Sequence, residues 1–310
     1  MICRKTMLPF CALALIAAVG LSAGAAGGEA AAEASREGAR EASPAPSWLF
    51  GSEDGPVFEA AAGLWLTHGF SQSTTESYDS GKLWQNANLM ATADIELRLP
   101  GHHWLGLWGR GGTTVYNHQR NSDLADDGDS DAAMAELNLV LTLAGRGSPI
   151  IEDDDLPRTS LDLFAGARWF REEYEGEIAG GVQREMETSW VGPQIGLRGS
   201  WCLQDTYNLD SLEGWSLTLR GAVMPWMEME ATDRRDGAKA FELESSRGYG
   251  GSAAAGVEWS RGPVALTVGF EALFLRADSG DEEDSAGVVR DIETVRTTRY
   301  GAFMTLALRF

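Results

Sequence analysis

The chain has 310 residues, with 25 Lys and Arg against 46 Asp and Glu, for a formal net charge of -21. A balance this acidic excludes a nucleic-acid partner, because phosphate recognition needs a basic face. Hydrophobic residues make up 44% of the chain, mean hydropathy is -0.20, and after the opening segment no stretch is apolar for the roughly 18 residues a membrane helix needs. That excludes a helical membrane protein. A transmembrane β-barrel stays open, since its strands alternate lipid-facing apolar with lumen-facing polar residues and average to near neutrality.

Arg4 and Lys5 precede an almost wholly apolar run from Met7 to Leu21, and Ala23-Gly24-Ala25 follows it. This order of charge, apolar run and small residues predicts a cleaved export signal over residues 1–25. Cys3 and Cys11 leave with it, so Cys202 stands alone and no intrachain disulfide is expected. Residues 26–47 are rich in Ala, Glu, Gly, Ser and Pro without apolar periodicity. Such a segment buries too little to offset its ordering entropy and is expected to be a disordered lead-in. The folded part is expected over 48–310, from Trp48.

Period two then dominates. From Leu83 to Leu99 the odd positions are mostly apolar, while the even ones include Asn86, Asn88, Asp94, Glu96 and Arg98. The same alternation recurs at Phe58–Leu66, Ala133–Leu143, Leu161–Trp169, Val191–Leu203, Trp215–Val223, Tyr249–Trp259, Val264–Phe274 and Tyr300–Phe310, with a weaker version from Leu105 to Val115. Ten such segments predict a ten-stranded antiparallel transmembrane β-barrel, all-β, with both chain ends on one side. Short links at 100–102 and 261–263 suit the periplasmic side, although 145–159 and 204–214 are longer than such turns usually are. The polar stretches at 72–82, 117–131, 172–188, 231–241 and 278–292 are expected to be outer loops. Two aromatic girdles are expected, Trp201, Trp215, Trp259 and Phe310 on the periplasmic side and Phe70, Trp190, Phe274 and Tyr300 outside.

A barrel of this size has an interior filled mostly by side chains. The inward parity carries Glu59, Asp94, Glu96, Arg98, Arg110, Glu136, Asp162, Arg168, Arg198, Arg220, Glu258, Glu271 and Arg299. Buried charges must be paired, so these residues are either a salt-bridge network plugging the lumen or the lining of a thin ion path. The acidic stretches at Asp126–Asp131, Glu172–Glu175 and Asp281–Asp284 are either solvated outer loops or weak divalent-cation bridges to lipopolysaccharide. No zinc-spaced cluster, phosphate loop or nucleophile elbow is present, and neither a metal site nor a cofactor is expected.

The final segment, apolar at every second position and ending on Phe310, resembles the carboxy-terminal signature of bacterial outer-membrane barrels. That resemblance implies a Gram-negative outer membrane as the location. It also implies lipid and lipopolysaccharide as surroundings, the barrel-assembly machinery as a partner and Phe310 as its signal, for a protein expected to be monomeric. The ten-stranded topology with long outer loops is similar to that of omptins, outer-membrane endopeptidases with a pair of Asp on one rim and an Asp-x-His on the other. Ala165-Gly166, Tyr174 and Ala179-Gly180-Gly181 resemble the omptin fifth strand, and Trp226-Met227-Glu228 followed by Asp233 resembles the approach to the Asp-x-His pair. Arg235 stands where the His would be, and Asp123 and Asp126 are the candidates for the opposite pair. Arginine stays protonated and cannot serve as base, leaving His68 and His118 as the histidines that could reach the outer rim. The sequence therefore points first to a non-catalytic outer-membrane barrel with a structural or surface-interaction role. An omptin-like surface endopeptidase is second, and a narrow ion or solute channel third.

Overall fold

The computed structural model describes residues 58–75, 82–99, 102–119, 129–144, 160–178, 181–207 and 210–310. The export signal, the lead-in, Trp48, Asp123, Asp126 and the 145–159 link lie outside the described residues. The strands are β1 (Phe58–Thr75), β2 (Lys82–Leu99), β3 (His102–Gln119), β4 (Asp129–Ala144), β5 (Ser160–Ile178), β6 (Val182–Cys202), β7 (Trp215–Arg235), β8 (Ala238–Arg261), β9 (Val264–Ala277), β10 (Asp281–Asp284) and β11 (Val289–Arg309). Each pairs antiparallel with its neighbour, and β1 pairs with β11, so the sheet closes. The short β10 resumes the course of β9 between the outer ends of β8 and β11, and the barrel has ten walls. At the seam Phe58 and Phe310 exchange both backbone hydrogen bonds (3.0 and 2.8 Å) and their rings lie 6.1 Å apart.

Closure gives the alternating pattern its meaning. Leu64, Leu66, Leu137, Leu139, Ile195, Leu197, Phe270 and Leu306 are exposed on the outside, whereas their sequence neighbours point into the lumen and are buried or half-buried. The strands reach 24 residues in β8, about twice the 9–11 that cross a bilayer, so the barrel projects well beyond an apolar band.

The projecting part corrects two expectations. Residues 172–178 and 182–188 continue β5 and β6 rather than forming a loop, and β7 and β8 run on to a two-residue turn. Asp236 and Gly237 hold φ of 50° and 78° in that turn, the left-handed pair a tight hairpin needs. Trp190 is not a girdle residue: it sits on the inward parity of β6 and is wholly buried. The long 204–214 link is built from a short helix, α1 (Leu203–Tyr207), and a single 3-10 turn at Asp210–Leu212.

Strict alternation breaks on β7 and β8. On β7 the inward residues are Arg220, Ala222 and Met224, then Met227, Met229, Ala231 and Asp233, so parity flips at Pro225-Trp226. The partner strand flips too, across Ser246-Arg247. These are β-bulges, each with an extra residue that turns the following side chains to the other face. Proline has no N–H for the ladder, which suits a bulge. Trp226 is thereby turned outward, and its indole N–H donates to the Ser246 carbonyl at 2.6 Å.

Candidate functional site

The lumen is a stack of layers. Nearest the chain ends, Arg309 bonds Glu59 at 2.6 Å and Glu258 at 3.0 Å. Deeper in, Arg98 and Arg198 share two carboxylates: Arg98 reaches Glu96 at 2.6 Å and Asp162 at 2.9 Å, and Arg198 reaches the same pair at 2.7 and 2.9 Å. Deeper still, Arg110 binds both oxygens of Glu271 at 2.9 Å and Arg220 binds one of them at 2.9 Å. Arg168 forms an ion pair with one oxygen of Glu136 at 3.3 Å, and the other oxygen accepts a hydrogen bond from Gln194. Arg110 on β3 and Glu271 on β9 belong to non-adjacent strands, so their bond crosses the lumen and braces two walls. Trp108 packs edge-on to Phe164 at 5.4 Å, with the Arg198 and Arg220 guanidinium groups 5.5 and 5.2 Å from its ring centre.

Above these layers the lumen is apolar. Trp65, Met90, Met134, Phe170, Trp190, Met224, Met227, Met229, Leu273 and Leu275 form one buried cluster. Unbranched methionines suit this place, because they fill the irregular space left by bulges. Set against the cluster, Arg299 bonds Glu172 at 2.5 Å and Thr67 at 2.8 Å, and Ser71 donates to Glu172 at 2.7 Å. All four side chains are buried.

At the outer mouth Tyr174 and Met186 pack with Phe241. Asp233 is fully buried there, its two oxygens accepting from Arg184 at 2.9 and 3.0 Å, and Arg235 approaches at 3.4 Å. His68 is on the outward parity of β1, against the Tyr300 ring at 5.5 Å, and so does not reach the mouth as a base. Among the described residues no group of three or more His, Cys, Asp or Glu is placed to hold a metal ion.

The inward charges named from the sequence meet in the layers described, whereas Asp233 and Arg235 meet each other but no histidine among the described side chains, which do not include that of His118. Arg184 and the inward role of Glu172 are not evident in the sequence, where the acidic composition of 172–188 suggests a loop. The signal was present: Phe170-Glu172-Tyr174 and Arg184-Met186-Thr188-Trp190 keep period two, but with apolar residues now on the inner parity.

No family model matches this sequence, and no curated protein does. Among solved structures, the chain is similar to the outer-membrane protease OmpT of Escherichia coli. The TM-score is 0.59 at 13% identity, over 82% of this chain and 97% of that one. It is more distantly similar to the translocator domain of the autotransporter NalP of Neisseria meningitidis, with a TM-score of 0.41 at 9% identity over 84% and 90% of the two chains. The first likeness is one of fold: a ten-stranded antiparallel barrel of the outer-membrane kind.

Proposed function

We propose that the protein is a non-catalytic barrel of a Gram-negative outer membrane, exported by a cleaved signal, with a plugged lumen and a structural or surface-interaction role. The observation that carries this reading is the state of Asp233. A carboxylate that activates water through a neighbouring base needs a free oxygen and access to solvent. Asp233 has neither: it is sealed from solvent and both its oxygens are held by Arg184, with Arg235 in the place where the omptin resemblance calls for a histidine. The apolar cluster beneath argues against a conducting lumen, because an ion would have to shed its water to pass it.

The test is direct. Purified protein is assayed against a panel of fluorogenic basic peptides with OmpT as positive control, and in planar bilayers for conductance. Neither cleavage nor a conducting state is expected. Cleavage lost in Asp233→Asn would restore the protease reading, and steady conductance the channel reading. Removing Phe310 should sharply reduce insertion, since it takes away the seam contact with Phe58 as well as the assembly signal.

A further inference from the structure

On the outer wall, the outward column of β8 changes character in the order of a lipid molecule. Rising from the middle of the apolar band it carries Ala255, Ala253 and Gly251, then Tyr249, then Arg247, and past the bulge Glu244 and Glu242. We propose that this face binds one glycerophospholipid with a phosphoethanolamine head. An acyl chain lies along the small residues, the phosphate meets the arginines, and the ammonium sits among the carboxylates above. For the chain, a groove of about 560 Å³ runs over the lipid face, lined by Leu219, Gly221, Ala253, Ala255, Phe270 and Ala272. It is low because Gly221, Ala253 and Ala272 stand opposite one another on three adjacent strands. Gly251 continues it upward between the exposed side chains of Val223 and Phe274. From Ala255 to Arg247 is about 26 Å along a strand, or about 20 Å of depth at a tilt of about 40°. That is the distance from the middle of a bilayer to its headgroups, half of roughly 40–45 Å.

The head is placed by charge. Arg247 is exposed above the groove and forms no ion pair among the described residues. Beside it on β9, Arg276 stands opposite Tyr249 on one side and opposite Arg296 on the other. Like charges facing each other across a ladder repel. The carboxylate in this tier, Asp278, accepts from Arg276 at 2.5 Å and from the Tyr249 hydroxyl at 3.1 Å, and so offsets one of the three arginines. A phosphate here accepts from guanidinium groups that carry five donors each. Arg247 also lines a recess of about 720 Å³ just above, together with Glu228, Glu230, Glu244, Asp281 and Asp291. Among the described residues these carboxylates are not gathered closely enough to hold a metal ion, whereas an ammonium on a flexible head can donate three hydrogen bonds to spread acceptors. Cations next to the apolar band and anions farther out match a phosphate followed by an amine. A head with phosphate but no amine would gain from the first tier and be repelled by the second.

Native mass spectrometry of the purified, delipidated protein in detergent tests this, with dioleoyl-phosphatidylethanolamine, dioleoyl-phosphatidylglycerol, dioleoylglycerol and lipid A as probes. One phosphatidylethanolamine per chain should be retained, at least about tenfold more tightly than the other three, as the loss of a charge-assisted hydrogen bond implies. Free phosphoethanolamine at the same concentration should not displace it, since it lacks the chain. Arg247→Gln, at an exposed position, should weaken retention about tenfold. Glu230→Gln with Glu244→Gln should erase the preference over phosphatidylglycerol. Gly221→Leu fills the groove without touching a charge. A Cβ there meets only the Ser252 carbonyl oxygen at 3.9 Å, so the folded, heat-modifiable form should persist while retention falls. Equal retention of all four lipids would overturn the proposal and leave ordinary bilayer contact. Preference for phosphatidylglycerol or lipid A would overturn the assignment of the carboxylates, displacement by free phosphoethanolamine that of a lipid, and full retention in Arg247→Gln or Gly221→Leu the site itself.

Discussion

Below the level of Trp226 the barrel is inside out, apolar toward its surroundings and charged within; above it the same strands are arranged like an ordinary soluble sheet. On β5 and β6 the outward residues change from Leu163, Ala165, Val191 and Ile195 to Glu173, Glu175, Glu185 and Glu187. The inward ones change over the same rise from Asp162, Arg168 and Arg198 to Tyr174, Met186 and Trp190. The lesson is that alternation fixes only that a strand has two faces. Which face is apolar depends on the solvent outside, lipid in the band and water beyond it. The border is drawn by outward aromatics: Trp226 with its bond to Ser246, Tyr249 bonded to Asp278 at 3.1 Å, Phe274 and Tyr300.

The largest expected effect comes from the ionic part of the projecting region. Asp233→Ala leaves Arg184 charged, buried and unpaired, which should cost about 3–5 kcal/mol. The double variant Asp233→Leu with Arg184→Met should recover most of that loss, since replacing both members of a buried pair by apolar residues is often neutral. Urea unfolding in lipid vesicles measures both. If Asp233→Ala proves as stable as the parent, the pair is not the strut described here.

Next come the two outer surfaces. Leu139→Arg, on the lipid face of β4, should cost about 2–4 kcal/mol in a bilayer if it lies near mid-membrane. Thr232→Arg, outward on the projecting part of β7, faces Glu187 and Glu242 across the strands. It should be neutral or stabilising by up to about 1 kcal/mol. Equal penalties at the two positions would mean that the apolar band extends past Trp226. At the border itself, Trp226→Phe removes the indole donor and leaves the Ser246 carbonyl unmatched, for a loss of about 1 kcal/mol in the same unfolding experiment.

The contrast also explains what could be read in the sequence. Ten strands and closure were legible because each membrane segment repeats apolar residues at every second position from Phe58 to Phe310, and a barrel leaves no other use for them. The inward positions of Asp94, Glu96 and Arg98 follow from that parity alone. Their partners do not, because a lumen pairs residues from walls far apart in sequence, as Arg110 pairs with Glu271. The outer extension reads as loops in the sequence because its acidic outward face lowers the hydrophobicity on which strand recognition leans, even though Met186 and Trp190 keep the period. The flips at Pro225-Trp226 and Ser246-Arg247 could not be read from alternation, which registers a bulge only as a weakening of pattern.

The smallest effect concerns the acidic outward face above the apolar band. Glu173 stands directly opposite Glu187 across the β5–β6 ladder and is bonded to Arg171 at 3.2 Å. Its partial burial pushes its carboxyl above the ordinary range. Arg171 pulls the other way, and Glu187, Glu175 and Glu185 add to the rise. A carboxyl with a higher pKa in the folded than in the unfolded chain binds its proton more tightly when folded. Its contribution to stability is therefore full below the unfolded value and is lost as pH rises through the folded one. The hairpin should thus be slightly firmer in mild acid than at neutral pH. Carboxyl-resolved NMR titration should place Glu173 above the ordinary glutamate range. Glu187→Gln removes one of the repelling charges and should bring Glu173 down toward the ordinary range. A Glu173 titration that Glu187→Gln leaves unmoved would mean that burial alone sets it, and that carboxylates facing each other across this ladder are screened by the water they share.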